Sequence, residues 1–135
     1  MSGEMNLSEL LKTMNPIVCD GIYVFCSLSQ PVFESSRIQP KMQFFEDEGV
    51  TVIILKEEAI TLGVEFSAPS RMITLTVHSS LDAIGFLAEI TTRLAREKIS
   101  VNVVSAFYHD HLFVPVNHAD RALEILTHAQ GGSNQ

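Results

Sequence analysis

The sequence predicts an α+β fold made of two similar halves packed together, each with an antiparallel sheet and helices on one face. Over residues 71–126 the hydrophobic period changes from two to about 3.6 and back, in the order strand, helix, strand, strand, helix. Residues 42–63 share the order strand, polar turn, strand, helix with residues 104–126, which suggests a degenerate internal duplication. The order βαββα is that of a ferredoxin-like fold without its last strand.

The second half begins with a strand. Ile73, Leu75 and Val77 alternate with other residues, which is typical of a strand with two different faces. Ser79 and Ser80 then offer N-cap hydroxyls for a helix. The predicted apolar positions of that helix are Ile84, Leu87, Ala88, Leu94 and Ala95.

A β-hairpin and a last helix complete this half. Residues 100–108 and 111–116 predict two strands, and His109 with Asp110 predicts a tight turn between them. Asn117 is expected to cap the final helix. Its predicted apolar side consists of Ala119, Ala122, Leu123 and Leu126.

The first half is less regular. Residues 7–14 predict a short helix that ends at Asn15, because the residue before Pro16 avoids the α region. Residues 22–28 predict a strand, followed by a loop. Residues 41–45 and 50–55 predict two strands joined by an acidic turn that ends at Gly49, and residues 57–62 predict a short helix.

Residues 63–70, which include Gly63 and Pro69, form the natural junction between the halves. We therefore expect a divergent N-terminal half at 1–69, a C-terminal domain at 70–129 and a flexible tail at 130–135. The second half lacks a closing strand, and an open apolar edge invites aggregation. A strand of the first half is expected to complete that sheet or to cover its edge.

Composition argues against several classes of function. The chain is 46% hydrophobic, and its formal charge of -7 with scattered Lys and Arg argues against nucleic acids and membrane surfaces as partners. No apolar run has the length of a signal peptide or a transmembrane helix, so we expect a cytoplasmic protein. Cys19 and Cys26 form no paired motif and are expected to be buried, reduced and inert. No cofactor is indicated.

The motif His109-Asp110-His111 offers the most evident metal chemistry, because imidazole and carboxylate groups bind zinc and iron. A tight turn would splay the two imidazoles, and no third ligand lies nearby in the sequence. A structural turn or a ligand contact is therefore favoured over a metal site.

The acidic turn carries a second candidate. Glu46, Asp47 and Glu48 are interpreted first as a solvated turn, and second as a source of one carboxylate, from Glu46 or Glu48, for the ammonium group of a ligand. The sequence contains no nucleophile elbow, phosphate-binding loop or dinucleotide-binding fingerprint. These observations predict no catalytic residue.

The segment HSSLDAIGFLAEI is more informative. A strand that ends in hydroxyl residues and leads into a helix N-terminus presents backbone N–H groups suited to a carboxylate. Gly85 would let a ligand or another backbone approach closely. The plainer interpretation, in which Ser80 only caps the helix and Gly85 only packs, stays open.

The stretch VHSSLDAIGFLAEITTRLAREKISVNVVSAFYHDHLFVP resembles the ACT domain, in particular small bacterial proteins in which a divergent N-terminal half precedes such a domain. The resemblance spans Ile73 to Leu126, and YVF with EDEGVTVIIL in the first half is similar to the partner region of the same family. ACT domains are regulatory modules that pair with one another and bind amino acids between units. The resemblance therefore implies an allosteric regulator and not an enzyme.

The resemblance also implies a ligand site at the loop from the first strand into the first helix, facing the second strand of a neighbouring domain. Carried over by position, its residues are Leu81, Asp82, Ala83, Ile84, Gly85, Asn102, Val103 and Val104. Asp82 would bind the ammonium group of the ligand, and backbone groups near Ile84 and Gly85 would bind its carboxylate. His111 is a further candidate, and a tandem arrangement would bring Glu46 or Glu48 near the site.

We therefore expect a homodimeric or larger homo-oligomeric regulator that binds an amino acid, uses no metal, and acts on an enzyme in trans. Two alternatives stay open: a small metal-dependent or acyl-transfer enzyme that uses His109 and His111, and a ligand-free oligomerisation module. We expect the chain to depart from the family pattern, because the sequence predicts no fourth strand after Leu126 and indicates no fused catalytic domain.

Overall fold

The computed structural model of the chain describes residues 3–131. Contacts divide the chain into two compact units. The terminal unit combines the residues up to Asp20 with those from Arg71 onward, and the central unit is Gly21–Ser70. Among the described residues, no helix is both long enough and apolar enough to cross a membrane.

The elements alternate between helices and strands from the start of the chain. In chain order they are α1 (Leu7–Thr13), β1 (Pro16–Val18), β2 (Tyr23–Leu28), α2 (Gln30–Ser36), β3 (Met42–Glu46), β4 (Gly49–Leu55), α3 (Lys56–Leu62), β5 (Ser67–Leu75), α4 (Phe86–Arg96), β6 (Asn102–Ser105), β7 (Asp110–Pro115), a 3₁₀ turn (Val116–His118) and α5 (Ala119–Gly131).

The central unit is a complete βαββαβ motif. Its strands follow the order β3-β4-β2-β5, and every neighbouring pair is antiparallel. Alternate residues of β2 and β4 face the same side, because side chains in a strand alternate between faces. The buried core on that side consists of Val24, Cys26, Leu28, Val50, Val52, Ile54 and, from α3, Ala59.

The terminal unit has the order β6-β7-β5, with β1 on the other edge of β5. Its core gathers apolar residues from the sheet and from α1, α4 and α5. The members that are fully buried are Leu10, Met14, Ile73, Leu75, Ile90, Leu94, Leu112, Val114, Ala122, Leu126 and Ala129.

Strand β1 completes the terminal sheet. Pro16 lies opposite Leu75 and Val18 lies opposite Ile73 in antiparallel register. The expectation that a strand from the first half closes the second sheet is therefore confirmed. With β1 in the fourth position, the terminal unit also has the four-stranded ferredoxin-like arrangement, and the fold class predicted from the sequence is confirmed.

The prediction of a loop after β2 is wrong, because α2 lies there. The Ser29 hydroxyl caps this helix by accepting a hydrogen bond from the backbone N–H of Val32 at 3.3 Å. The helix ends at Ser36, and its C-cap residue Arg37 has a left-handed φ of 57°. None of its residues is buried, so it lacks the apolar period by which helices are found in a sequence.

The start of α4 was also predicted too early. Ser79 and Ser80 do not cap it, since the helix begins at Phe86 and its N-cap position is Gly85, with φ at 90°. The buried stripe of α4 is Phe86, Ile90 and Leu94, whereas Ile84 is 86% exposed.

The hairpin is present, but its turn differs from the prediction. The turn comprises residues 106–109, and the N–H of Ala106 donates to the carbonyl of His109 at 3.0 Å. Asp110 is the first residue of β7 and lies opposite Ser105. This position directs Asp110 into the terminal unit, as described below.

The end of the chain is helical as far as Gly131, so residues 130 and 131 of the predicted tail belong to α5. Residues 132–135 lie outside the described residues. The division into 1–69 and 70–129 stays a prediction about sequence domains, because compact units in space need not follow the linear order.

The two cysteines differ in exposure. Cys26 is buried on the core side of β2, and this burial raises the pKa of its thiol. Cys19 is only partly buried and lies 3.5 Å from the hydroxyl of Thr74. The expectation of buried thiols therefore holds for Cys26 and is wrong for Cys19.

This difference predicts selective thiol labelling. Near pH 8, a thiol reagent should modify Cys19 in the folded protein and Cys26 only as the central unit opens, because the buried thiol is both shielded and harder to ionise. Reagent stoichiometry over time, followed by peptide mapping, measures this. Equal rates for the two thiols would contradict the buried position of Cys26.

The packing of α1 predicts a contrast between two leucines of the same helix. Leu10 is 0% exposed and Leu7 is 38% exposed. Leu10→Ala should lower the free energy of unfolding by about 2–5 kcal/mol, because it removes core contacts and leaves a cavity. Leu7→Ala is the matched control and should cost much less. Urea unfolding followed by circular dichroism tests this, and equal effects would mean that α1 is not part of the core.

Candidate functional site

The site is built around the segment that joins β5 to α4, residues 79–85, here called the α4 loop. The backbone N–H of Ser80 donates to the carbonyl of Glu4 at 2.9 Å, and the N–H of Ala83 donates to the carbonyl of Ser80 at 3.0 Å. The Ser80 hydroxyl accepts a hydrogen bond from the N–H of Asp82 at 3.0 Å. The loop is thus a folded turn tied to the first residues of the chain.

A cavity of about 140 Å³ opens beneath this loop. Its wall consists of residues of the α4 loop, the first turn of α4 and, from the hairpin, Ser105 and Asp110. A cavity of about 150 Å³ in another protein holds one benzene molecule, so this space is suited to a small organic molecule and not to a large one.

A buried carboxylate faces the cavity. Asp110 is only 5% exposed, and its Oδ2 accepts a hydrogen bond from the Ser79 hydroxyl at 2.9 Å. Among residues 3–131 no cationic side chain forms an ion pair with Asp110. A buried charge without a counter-charge is costly, so this position favours a ligand that carries a positive group.

The N-terminus of α4 faces the same cavity. Phe86, Leu87 and Ala88 line it, and no side chain caps the helix. The N–H groups of a first helical turn lack intrahelical acceptors and carry a partial positive charge, which is favourable for an anion. Gly85 at the N-cap keeps this end open, since the nearest atom to an added Cβ is a side-chain carbon of Leu7, 3.9 Å away.

Three of the predicted loop residues line the cavity, namely Leu81, Ala83 and Gly85. Asp82 and Ile84 are exposed and lie outside its wall. Ligand contacts by these five residues remain predictions. The structure adds Asp110, which the sequence indicated only as part of a turn, although an acidic residue at the start of an apolar strand was a usable signal.

The predicted β6 residues and His111 do not line this cavity. Asn102 is exposed, while Val103 and Val104 are partly buried and lie opposite Leu112 and His111 in the hairpin. The Nδ1 atom of His111 lies 2.9 Å from the Thr74 hydroxyl on β5. Their part in ligand binding likewise remains a prediction.

Glu46 and Glu48 belong to the central unit, at the turn between β3 and β4. Both are exposed, and Glu46 accepts a hydrogen bond from the Thr51 hydroxyl. The solvated-turn interpretation describes their surroundings, and contact with a ligand remains a prediction.

The residues of the enzymatic alternative are placed as follows. The Nδ1–H of His109 donates to the carbonyl of Val77 at 3.1 Å, and the His109 and His111 rings are 6.5 Å apart between centroids. The Thr74 hydroxyl lies 3.5 Å from the Cys19 thiol and 2.9 Å from the Nδ1 atom of His111. Within residues 3–131 no three side chains of His, Cys, Asp or Glu are grouped as metal ligands would be.

A larger groove of about 1020 Å³ runs along α4 and α5, but its charges are largely paired. Arg93 bonds Glu89 at 2.7 Å, and Arg121 bonds Glu97 at 2.8 Å. The hydrogen bond from Arg121 to Glu97, and the charge of that carboxylate, raise the pKa of Arg121. The smaller cavity is the stronger candidate, because its carboxylate is buried and lacks an ionic partner.

The fold and the cavity define a small two-unit α+β protein with paired acceptor and donor groups for a small ligand. Sequence profiles described as the ACT domain match residues 2–71 and residues 67–128. The chain therefore belongs to the ACT domain family. The two matches overlap at residues 67–71, within β5.

Solved structures agree with this assignment. A Vibrio cholerae protein of unknown function, VC0802, described as a possible transport protein, is 40% identical, with a TM-score of 0.83 over 96% of this chain and 99% of its own. The regulatory subunit of aspartate kinase from Thermus flavus is 12% identical, with a TM-score of 0.65 over 84% and 95% of the two chains. Its counterpart from Thermus thermophilus is 13% identical, with a TM-score of 0.66 over 87% and 98%.

The two kinase subunits share the fold with this chain. Their sequence identities are too low to show a shared function. The chain matches no protein among the curated sequences compared with it. Membership in the ACT domain family supports a regulatory, ligand-binding role.

The surroundings of Asp110 predict an unusual stability effect. Asp110→Asn should leave the unfolding free energy of the ligand-free protein unchanged or raise it by about 1 kcal/mol, because it removes a buried charge without changing shape. Ser79→Ala should instead lower it by about 1–3 kcal/mol, because the carboxylate loses its donor.

Urea unfolding of both variants beside the wild type provides the measurement. A loss of several kcal/mol in Asp110→Asn would show that this carboxylate is a structural group and not one kept for a ligand.

Proposed function

We propose that this protein is a regulator that binds one small amino acid in the α4-loop cavity and performs no catalysis of its own. The observation that carries the proposal is the pairing of a buried, ionically unpartnered Asp110 with the uncapped N-terminus of α4 around one cavity. An α-amino acid carries a positive and a negative group on adjacent atoms. The carboxylate of Asp110 complements the ammonium group of the amino acid, and the N-terminus of α4 complements the carboxylate of the amino acid.

The volume of the cavity limits the ligand. A space of about 140 Å³ is suited to an amino acid with a small side chain and excludes the large aromatic ones. Asp110 replaces Asp82 as the proposed ammonium partner, because Asp82 is exposed and its charge is already solvated. Water competes more weakly with a ligand for a buried carboxylate than for an exposed one.

A regulatory effect requires that the ligand bind one conformation more tightly than another. A zwitterion held at both ends would connect α4 to β7 and restrict the movement of the α4 loop relative to the hairpin. These two segments also carry exposed apolar side chains, Leu81 and Ile84 on the loop and Phe107 and Tyr108 on the hairpin turn. Occupancy of the cavity would thereby alter a surface that a partner enzyme, regulated in trans, could contact.

The first test is a thermal-shift screen of the wild-type protein with each of the twenty amino acids. A ligand at about one hundred times its dissociation constant adds about 2.7 kcal/mol of stability, which raises the melting temperature by several degrees. We expect a selective shift from one or a few small amino acids. Asp110→Asn should abolish the shift, and Asp82→Asn, the matched control on the exposed side of the loop, should retain it.

Three outcomes would contradict the proposal. Loss of the shift in Asp82→Asn alone would move the site to the outer side of the loop. Absence of any shift at concentrations that detect millimolar binding would exclude an amino acid and favour the oligomerisation module. Turnover that His111→Ala abolishes would favour the enzymatic alternative.

A further inference from the structure

Residues 3–6, here called the strap, are paired with the start of the α4 loop. Glu4 and Ser79 form an isolated parallel bridge. The backbone N–H of Glu4 donates to the carbonyl of His78 at 2.9 Å, and the N–H of Ser80 donates to the carbonyl of Glu4 at 2.9 Å. The strap therefore adds a very short parallel strand beside the segment that leads into the cavity.

This pairing requires a glycine at position 3. A Cβ atom on Gly3 would lie 2.5 Å from the carbonyl oxygen of His78 and 2.8 Å from the Cδ2 atom of the His78 ring. Both distances are shorter than a van der Waals contact, so a side chain at this position would push the strap away from His78. Glycine lets the two backbones approach each other closely.

The strap and the start of α1 together reach both ends of the α4 loop. Glu4 pairs with the first residues of the loop, and a side-chain carbon of Leu7 lies 3.9 Å from the place of a Cβ on Gly85, the last residue of the loop. The turn between them is fixed, because the Glu4 carboxylate accepts a hydrogen bond from the N–H of Asn6 at 2.8 Å and the Asn6 side chain caps α1. The loop is thus held against a segment that α1 anchors in the core.

Backbone hydrogen bonds, and not burial, hold the strap in place. Glu4, Met5 and Asn6 are all exposed. The loop buries little apolar surface either, since Leu81 is 65% exposed and Ile84 is 86% exposed. Segments with few buried contacts open at a much smaller free energy than the core. The strap is therefore able to detach while the rest of the terminal unit stays folded.

Two features of the cavity depend on this attachment. Ser79, the bridge partner of Glu4, donates the hydrogen bond that the buried carboxylate of Asp110 accepts. Ser80, which donates to Glu4, also accepts a hydrogen bond at its carbonyl from the N–H of Ala83, and Ala83 lines the cavity. Release of the strap would free both serines and with them the loop side of the cavity wall.

We propose that the strap controls access to the cavity: attached, it holds the α4 loop closed over the cavity, and detached, it lets the loop open. Exchange of a short segment between an ordered and a disordered state is a common switching device in proteins. The inference concerns the cavity and not its occupant, so it goes beyond the proposed amino-acid site and is tested without a ligand.

The first test is amide hydrogen exchange of the folded, full-length protein, followed residue by residue by NMR. The Ser80 amide reports attachment of the strap, because its acceptor is the Glu4 carbonyl, and the Ala83 amide reports the fold of the loop. In the wild type both should exchange through local opening, faster than the amides of β7. The Glu89 amide, bonded to the carbonyl of Gly85, serves as the reference for α4.

Glu4→Pro should detach the strap, because it removes the N–H that bonds the carbonyl of His78. The Ser80 and Ala83 amides should then exchange about tenfold faster, which is the effect of one lost hydrogen bond of ordinary strength. The Glu89 amide and the midpoint of urea unfolding should change little. Glu4→Ala is the matched control, since it removes the carboxylate and keeps the backbone N–H.

A second variant reaches the same state by a steric route. Gly3→Ala should also speed exchange of the Ser80 and Ala83 amides, because its Cβ cannot fit against His78. Gly131→Ala is the matched control, since a Cβ at Gly131 meets no atom within 4 Å.

Cysteine labelling measures access to the cavity directly. In a Cys19→Ser background, Ala83→Cys places a thiol on the loop side of the wall, and Ser105→Cys places one on the hairpin side. Adding Glu4→Pro should speed modification of the loop thiol by methyl methanethiosulfonate severalfold and leave the rate of the hairpin thiol unchanged. The remaining thiol, Cys26, is buried in the other unit.

Three results would overturn the inference. A wild-type Ser80 amide that exchanges only with global unfolding would make the strap a part of the core. An Ala83 amide that keeps its rate in Glu4→Pro, while the Ser80 amide loses protection, would show that the loop keeps its fold without the strap. An unchanged labelling rate of Ala83→Cys in the same background would show that detachment does not open the cavity.

Discussion

The pairing of β1 with β5 is the contact on which the terminal unit depends. Pro16 and Leu75 are register partners although the whole central unit separates them in the chain. Without β1 one edge of β5 would be open, and the helix that precedes β1 could not place Leu10 and Met14 in the core. The entropic cost of closing a loop grows only slowly with its length, so the long connection between β1 and β5 lowers the stability of the fold only slightly more than a short one would. Its cost is kinetic, because the pairing is distant in sequence and must await the intervening chain.

That closed core gives the cavity its chemistry. Asp110 begins β7 opposite Ser105, so the hairpin register fixes the carboxylate beneath the α4 loop. A charge held there without an ionic partner opposes stability, whereas the uncapped end of α4 leaves donor groups unused. Each feature alone would be a small defect of packing. Together they give one cavity a buried acceptor on one side and a helix N-terminus on the other, and these are the two features on which the proposed amino-acid site depends.

Helices and strands could be predicted from the sequence wherever their apolar residues repeat with the period of the element and are also the residues that it buries. β7 and α5 lie close to where their patterns predict them, and three of the loop residues that the ACT resemblance indicated line the cavity. α2 was missed because it buries no residue and contains serines and a proline. The start of α4 was misplaced because the Ser79 hydroxyl bonds Asp110, thirty-one residues away, and does not cap the helix. Such a partner depends on strand register, which local spacing does not reveal, so the local sequence marks Asp110 only as an acidic residue at the start of an apolar strand.

One hydrogen bond has a mechanical consequence. The backbone N–H of Cys19 donates to the carbonyl of Met72 at 2.8 Å, so the chain leaves the terminal unit and re-enters it at adjacent points. The central unit therefore lies in a loop whose two ends are held together by β1 and β5. Tension applied at the two ends of the chain would act on the terminal unit and would reach the central unit only after β1 had separated from β5. The fold thus shields its inserted unit from tension between the two chain ends for as long as that short strand holds.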